Sequence, residues 1–184
     1  AASALTSAAI PWKAVITDGW HEWYPDEKSW NETGISWIYI ESGKPVQGWF
    51  KWNGNWYYMN QIGAMQTGIR SIDGVRYCFD DKGIMRIGWA YSGGKWYYAN
   101  GSGAIQTGWL RIGGNWYFMD GSGIMQTAIR SIDGVRYCFN DEGIMQVGWA
   151  YSGGKWYYTN SSGAIQTGWL RSGGSWPCCL PSGA

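Results

Sequence analysis

The chain of 184 residues is short of the side chains from which small domains usually build interiors and catalytic sites. Leucine occurs four times, and Leu, Ile, Val and Phe together supply 30 residues, less than the roughly 20% that globular chains usually carry. A conventional aliphatic core is therefore excluded. Histidine occurs once, at His21, which leaves a His-based catalyst or a His-rich metal centre with a single candidate. An excess of charge of one sign is also missing: 14 Lys and Arg stand against 13 Asp and Glu, a formal net charge of +1. That balance gives no basic footprint for nucleic acid and no stripe for anionic lipid. No apolar run approaches the roughly 18 residues of a membrane span. Ala1 to Ala9, rich in Ala and Ser, reads as processed or truncated sequence of the kind left after signal cleavage.

What the chain does have is 16 Trp, 13 Tyr and 29 Gly. Aromatics make up 18% of it, so apolar surface is carried on flat rings, and the chain folds if those rings find one another. With so little net charge, disorder is disfavoured.

These residues recur with a period of twenty. Gly48-Trp49, Gly68-Ile69, Gly88-Trp89, Gly108-Trp109, Ala128-Ile129, Gly148-Trp149 and Gly168-Trp169 mark seven units, as do Gly63, Gly83, Gly103, Gly123, Gly143, Gly163 and Gly183. A fixed period of this length signals a repeat architecture. A second period of sixty lies over the first: residues 71–110 and 131–170 differ at six of forty positions. Three units completing one turn of a solenoid would produce that superperiod.

Each unit reads as strand, two-residue turn, strand. The turn pairs are Asn53-Gly54, Asp73-Gly74, Gly93-Gly94, Gly113-Gly114, Asp133-Gly134, Gly153-Gly154 and Gly173-Gly174. Such pairs tolerate positive φ at both central positions of a tight hairpin. An isolated hairpin is marginal in water, so each must lay its rings on the next. The expected fold is all-β: a β-solenoid of stacked ~20-residue hairpins, about three per turn. Residues 1–35 are expected to form an irregular segment or cap, with the repeat region over 36–184. Gly19-Trp20 and Ser36 to Ile40 look like a degenerate unit opened by an insertion from His21 to Thr33. Pro177, standing where other units have a strand Tyr, is expected to end a strand or mark an edge.

Comparison among units separates two kinds of position. Tyr57, Tyr77, Tyr97, Tyr117, Tyr137 and Tyr157 never change and read as core. The opposite face does change. Trp56, Trp96, Trp116, Trp156 and Trp176 become Arg76 and Arg136 in units two and five. In those same units the Gly-Trp tryptophan becomes Ile69 or Ile129, and the Tyr58 position becomes Cys78 or Cys138. Trp residues seven apart, set beside the next hairpin, can pack between hairpins. They can also make open aromatic cages for a quaternary ammonium, at about 0.5–2 kcal/mol per cation–π contact. Sugar rings stack on the same faces, so the residues alone leave the ligand open.

Units such as Gly148-Trp149-Ala150-Tyr151-Ser152-Gly153-Gly154-Lys155-Trp156-Tyr157-Tyr158, closing on Gly163-Ala164-Ile165-Gln166-Thr167-Gly168-Trp169, resemble the choline-binding, or cell-wall-binding, repeats of Gram-positive bacteria and their phages. The resemblance covers about residues 36 to 184. It implies a solenoid of about three hairpins per turn, a secreted and cell-surface location, and attachment to choline on teichoic or lipoteichoic acid. It also implies a ligand held between successive hairpins, on Trp residues of one and an aromatic of the next. Carried over position by position, the implied ligand-binding residues are Trp89, Trp96, Trp109 and Trp116 with Tyr117, and Trp149, Trp156, Trp169 and Trp176. Trp49 and Trp56 form a weaker candidate, because the next unit offers the cation Arg76. Units two and five, with Ser71-Ile72-Asp73-Gly74-Val75-Arg76-Tyr77, resemble the related glucan-binding and clostridial toxin repeats. A glycan-binding module is accordingly the alternative reading.

An enzyme is disfavoured. His21 beside Glu22 sits in the irregular start, Asp73 and Asp133 are turn residues, and Asp80, Asp81, Asp141 and Glu142 fall in loops between hairpins where other units carry Asn, Gly or Ser. No cofactor and no metal is expected, since no unit carries a regular carboxylate set for calcium. Cys78, Cys138 and Cys178 repeat at sixty-residue intervals and read as small buried replacements for Tyr, while the adjacent Cys178 and Cys179 are awkward to bridge to each other. A purely structural spacer, or a homodimer formed through an end of the solenoid, is compatible with the same residues.

Overall fold

The computed structural model describes residues 17–23, 36–169 and 179–180. Among them every regular element is a β-strand. The chain divides into two compact units, Ala1–Gly94 with Ala99–Ile105, and Lys95–Tyr98 with Gln106–Ala184.

In the first unit β1 (Gly19–Trp23), β2 (Ser36–Glu41) and β3 (Lys44–Pro45) make a three-stranded sheet. The hairpins β4 (Gly48–Trp52) with β5 (Asn55–Met59) and β6 (Gly68–Ile72) with β7 (Val75–Phe79) follow, then β8 (Gly88–Ser92). Strand β9 (Lys95–Ala99) lies at the division between the units. The second unit holds β10 (Gly108–Ile112) with β11 (Asn115–Met119), β12 (Ala128–Ile132) with β13 (Val135–Phe139), β14 (Gly148–Ser152) with β15 (Lys155–Thr159), and β16 (Gly168–Trp169) with β17 (Cys179–Leu180). Trp176, Pro177, Cys178, the Gly173-Gly174 turn and Ala1 to Ala9 lie outside the described residues.

The hairpin register follows from the turn residues. Asn53 and Gly54 take φ of 48° and 83°, Asp73 and Gly74 49° and 79°, and Gly113 and Gly114 58° and 87°. Positive φ at both central positions gives a turn whose twist matches that of the strands, and Asn, Asp and Gly reach it at least cost. The ladders are correspondingly alike: Trp49 faces Tyr58, Ile69 faces Cys78, Trp109 faces Phe118, Ile129 faces Cys138 and Trp149 faces Tyr158. Ala128 holds φ of 59° where the corresponding unit positions carry Gly48, Gly68, Gly88, Gly108, Gly148 and Gly168. A Cβ in the left-handed region is strained.

Alternation along the second strand of each hairpin decides what is buried. Tyr57 and Met59, Tyr97 and Ala99, and Tyr117 and Met119 point inward. Cys78, Phe79, Cys138 and Phe139 are about 1% exposed. Both thiols are unpaired, and burial raises the pKa of each, so they sit as small apolar side chains, as their repeat position suggested. Thr159 takes the inward position that Met59 and Met119 hold. Its buried hydroxyl is satisfied by donating to the Gln146 carbonyl at 2.8 Å.

The loops between hairpins are organised by one Asn or Asp each. The Oδ1 of Asn60, Asp80, Asn100, Asp120, Asn140 and Asn160 accepts from the amides two and four residues on, at 2.8–3.1 Å. Asp80 is therefore a turn-former like its Asn counterparts. The loop glycine beside it, at 63, 83, 103, 143 or 163, has positive φ, and an added Cβ would collide with Pro45, Met65, Met85, Met125 or Met145 respectively.

The opening strand differs from the reading of the sequence. Pairing does not stop at Trp20: Gly19, Trp20, His21, Glu22 and Trp23 pair with Ile40, Tyr39, Ile38, Trp37 and Ser36. His21 and Glu22 thus belong to a strand, and the His21 Nε2 meets the Thr17 carbonyl at 2.7 Å.

Candidate functional site

After each hairpin, the linker that follows docks on the second strand of the hairpin before it. The amides of Met65, Met85, Ile105, Met125, Met145 and Ile165 donate to the carbonyls of Trp37, Trp56, Arg76, Trp96, Trp116 and Arg136, at 2.7–2.9 Å. The pairing of side-chain types is strict: wherever the strand offers Trp the linker offers Met, and wherever it offers Arg the linker offers Ile. A polarizable thioether fits an indole edge, whereas the Arg positions take a branched aliphatic.

Two of these junctions, sixty residues apart, enclose aromatic corners. In the second unit Trp109 and Trp116 meet across the β10–β11 hairpin with ring centroids 6.3 Å apart and planes at 84°. Tyr137, from the next hairpin, closes on Trp109 at 4.7 Å and 71°, and Phe139 lies beneath it at 5.8 Å. Trp109, Trp116, Tyr137 and Met145 line an open cavity of about 470 Å³ rimmed by Val147, Ser161 and Ser162. In the first unit Trp49 and Trp56 meet at 6.3 Å and 88°, with Tyr77 4.8 Å and Phe79 6.0 Å from Trp49. A cavity of about 410 Å³ beside Trp56 is lined by Met85, Arg86, Ile87 and Ser102.

The Trp rings at both corners stay partly open: Trp49 is 37%, Trp56 42% and Trp116 42% exposed. Lys51 already lies over the Trp56 ring, 5.6 Å from its centroid, so the face is accessible to a cation. Arg86, whose guanidinium is 3.7 Å from the Asp80 carboxylate, is the cation that lines the cavity beside Trp56.

The structure therefore sorts the residues singled out in the sequence. It brings Trp109 together with Trp116, and Trp49 together with Trp56. Tyr117 pairs with Leu110, on the face of β10–β11 opposite Trp109, and the ring of the next hairpin that closes on Trp109 is Tyr137. Units two and five, set apart by their missing Trp, provide that wall through Tyr77 and Tyr137. Trp89 belongs to the first unit and Trp96 to the second. Trp149 packs on Tyr158 at 5.3 Å and Trp156 on Tyr151 at 5.3 Å. Trp169 pairs through its backbone with Cys179. The sequence reading passed over Met85 and Met145; their alternation with Ile105 and Ile165, in step with Trp and Arg, was the available signal.

Among the described residues no group of three or more His, Cys, Asp or Glu could hold a metal ion, and no helix is long and apolar enough to cross a membrane.

Comparison with known proteins agrees with this geometry. The cell wall binding repeat family matches residues 47–65, 87–105, 107–125 and 147–165. The matched segments are Trp-bearing units, and units two and five fall between them. A solved structure of CbpJ from Streptococcus pneumoniae TIGR4 is 31% identical with a TM-score of 0.68, covering 87% of this chain and 62% of that one. Choline binding protein F from Streptococcus pneumoniae, solved in the presence of a tetrasaccharide-pentapeptide peptidoglycan analogue, is 32% identical with a TM-score of 0.67, covering 82% of this chain and 52% of that one. A structure of CbpF in complex with ipratropium is 30% identical, with a TM-score of 0.67 and 86% and 56% coverage. The chain thus spans between about half and three fifths of the length of these proteins. No curated protein matches.

Proposed function

Because this chain belongs to the cell wall binding repeat family, we propose that it is a non-catalytic module that anchors a protein to choline on the teichoic or lipoteichoic acid of a Gram-positive surface. The carrying observation is the pair of corners in which two indoles stand at 84–88° and a Tyr from the next hairpin closes the third side. Perpendicular walls fit a compact, roughly spherical cation that touches several ring faces at once, each worth about 0.5–2 kcal/mol. A flat sugar ring stacks best on a single open face, so the geometry favours trimethylammonium over a glycan.

Single cages of that strength are weak. Several of them, displayed on a polymer that repeats its ligand, act by effective concentration. The winding implied by the sixty-residue superperiod, stacked hairpins at about three per turn, would set cages at regular intervals. Trp89 with Trp96, and Trp149, Trp156, Trp169 and Trp176, belong to this reading as further choline contacts. The module works outside the cell, as the family does.

Titration followed by Trp fluorescence and thermal unfolding tests the proposal. Choline is expected to change the indole emission and to raise the melting temperature by linkage, with both responses reduced in a Trp109→Ala, Trp49→Ala chain. If choline does neither while a glucan or a cell-wall oligosaccharide does, the glycan reading replaces it.

A further inference from the structure

We infer a third organic-cation cage in the first unit, built by β1 and β2, which lie outside the segments that match the repeat family, and walled further by residues of the first matched segment. Its basis is equivalence of register. Trp20 pairs with Tyr39 as Trp49 pairs with Tyr58 and Trp109 with Phe118. The Met65 amide donates to the Trp37 carbonyl at 2.7 Å, as Met85 does to Trp56 and Met145 to Trp116. Tyr57 closes on Trp20 at 5.2 Å, the place that Tyr77 takes on Trp49 and Tyr137 on Trp109. Residues 17–23 and 36–41 therefore form a complete cage-bearing pair of strands, although residues 24–35 separate them and no turn motif announces a hairpin.

The cavity these residues line, of about 400 Å³, differs from the other two in its walls and its rim. Trp52 stands 5.8 Å from Trp20 with planes at 87° and contributes a further ring. The units two and five carry Ile72 and Ile132 at that position. At the rim, Asp81 and Lys82 take the places held by Gly101-Ser102 and Ser161-Ser162 at the repeat cages. The first cage thus has a carboxylate where the others have neutral side chains. A carboxylate beside ring faces attracts an organic ammonium through charge as well as through the ring quadrupole. Lys82 suits the anionic group of a ligand whose ammonium and phosphate are joined by a short linker.

This inference rests on the cation-binding reading of the repeat cages, and its test separates the two. The full chain is labelled with 5-fluorotryptophan, the Trp20, Trp37 and Trp109 resonances are assigned by single Trp→Phe substitutions, and choline is added. The Trp20 and Trp37 signals are expected to shift together with that of Trp109, and to shift still in a Trp49→Ala chain. Replacement Asp81→Asn, at an exposed position, is expected to raise the half-saturating choline concentration for Trp20 by about two- to five-fold and to leave that for Trp109 unchanged. If Trp109 responds while Trp20 and Trp37 stay still, the third cage is refuted and the proposed function stands. If no signal moves, both fail. An Asp81→Asn chain in which the Trp20 midpoint is unaltered refutes the role given to the carboxylate.

Discussion

Two kinds of hairpin recur in this chain, and each accounts for what the other lacks. In β4–β5 and β10–β11 a Trp faces an aromatic across the strands and a second Trp stands at the turn end, leaving indole faces open. In β6–β7 and β12–β13 the corresponding pairs are Ile69 with Cys78 and Ile129 with Cys138, the Cys fully buried, and the turn-end Trp is Arg76 or Arg136. Read as single units, the second kind has lost its site. In the structure it completes the site of the first, lending Tyr77 or Tyr137 to the open corner and Phe79 or Phe139 to the layer beneath. In the proposed function the binding unit is a junction, and a repeat without Trp is one half of it.

The sharpest way to break that comparison is to remove the buried ring behind the corner. Phe139→Ala, at 1% exposure, is expected to cost about 3–5 kcal/mol of stability, measured by denaturant unfolding, and to abolish choline binding at Trp109 through loss of the layer that holds it. Tyr137→Ala asks the question more narrowly. If the Trp-poor hairpin supplies a wall, this change weakens choline binding at Trp109 by about ten-fold, since roughly 1–2 kcal/mol of ring contact goes, while the Trp49 corner keeps its affinity. Equal affinity before and after would return the site to the Trp-bearing hairpin alone.

A smaller effect concerns the backbone at which the two kinds of hairpin begin. Ala128 holds φ of 59° where its counterparts are Gly, so Ala128→Gly is expected to stabilise the chain by about 1 kcal/mol, read as a rise in unfolding midpoint with no change in choline affinity. The smallest concerns the rims. Arg86 lines the cavity beside Trp56, and sixty residues on its place is taken by Gln146, with Asn140 in place of its partner Asp80. Arg86→Gln is expected to tighten choline binding at Trp49 by about two-fold, bringing the two corners closer together. An unchanged midpoint would show that the Asp80 carboxylate already neutralises the guanidinium.

Much of the fold was legible because it is set locally. Two residues of positive φ fix each turn, the turn fixes register, and period-two alternation then decides which of Trp56 and Tyr57 faces inward. The buried Cys78 and Cys138 were legible as small replacements for the ring at the Tyr58 position, although alternation alone sets that position on the face opposite Phe79 and Phe139. The Trp pairs seven apart were legible too, because a two-residue turn brings those positions to one face. The third wall was legible in kind, as an aromatic of the next hairpin, but not by residue. Tyr occupies the same place in every unit from 57 to 157, so periodicity within a unit does not mark Tyr77 and Tyr137 as the rings that close on Trp49 and Trp109. Beyond Arg76, the cation that the repeat pattern offered, Arg86 lines the cavity beside Trp56, one linker further on. Trp20 was hidden for another reason: its partner strand comes after an interruption rather than a turn, and only the ladder to β2 shows the equivalence.

Calorimetric titration of choline into the intact chain, beside a chain carrying Tyr77→Ala and Tyr137→Ala, tests the shared junction most directly. The account predicts saturable binding in the first, and loss of the sites at Trp49 and Trp109 in the second with all of their tryptophans in place. Full binding by the doubly substituted chain would contradict it.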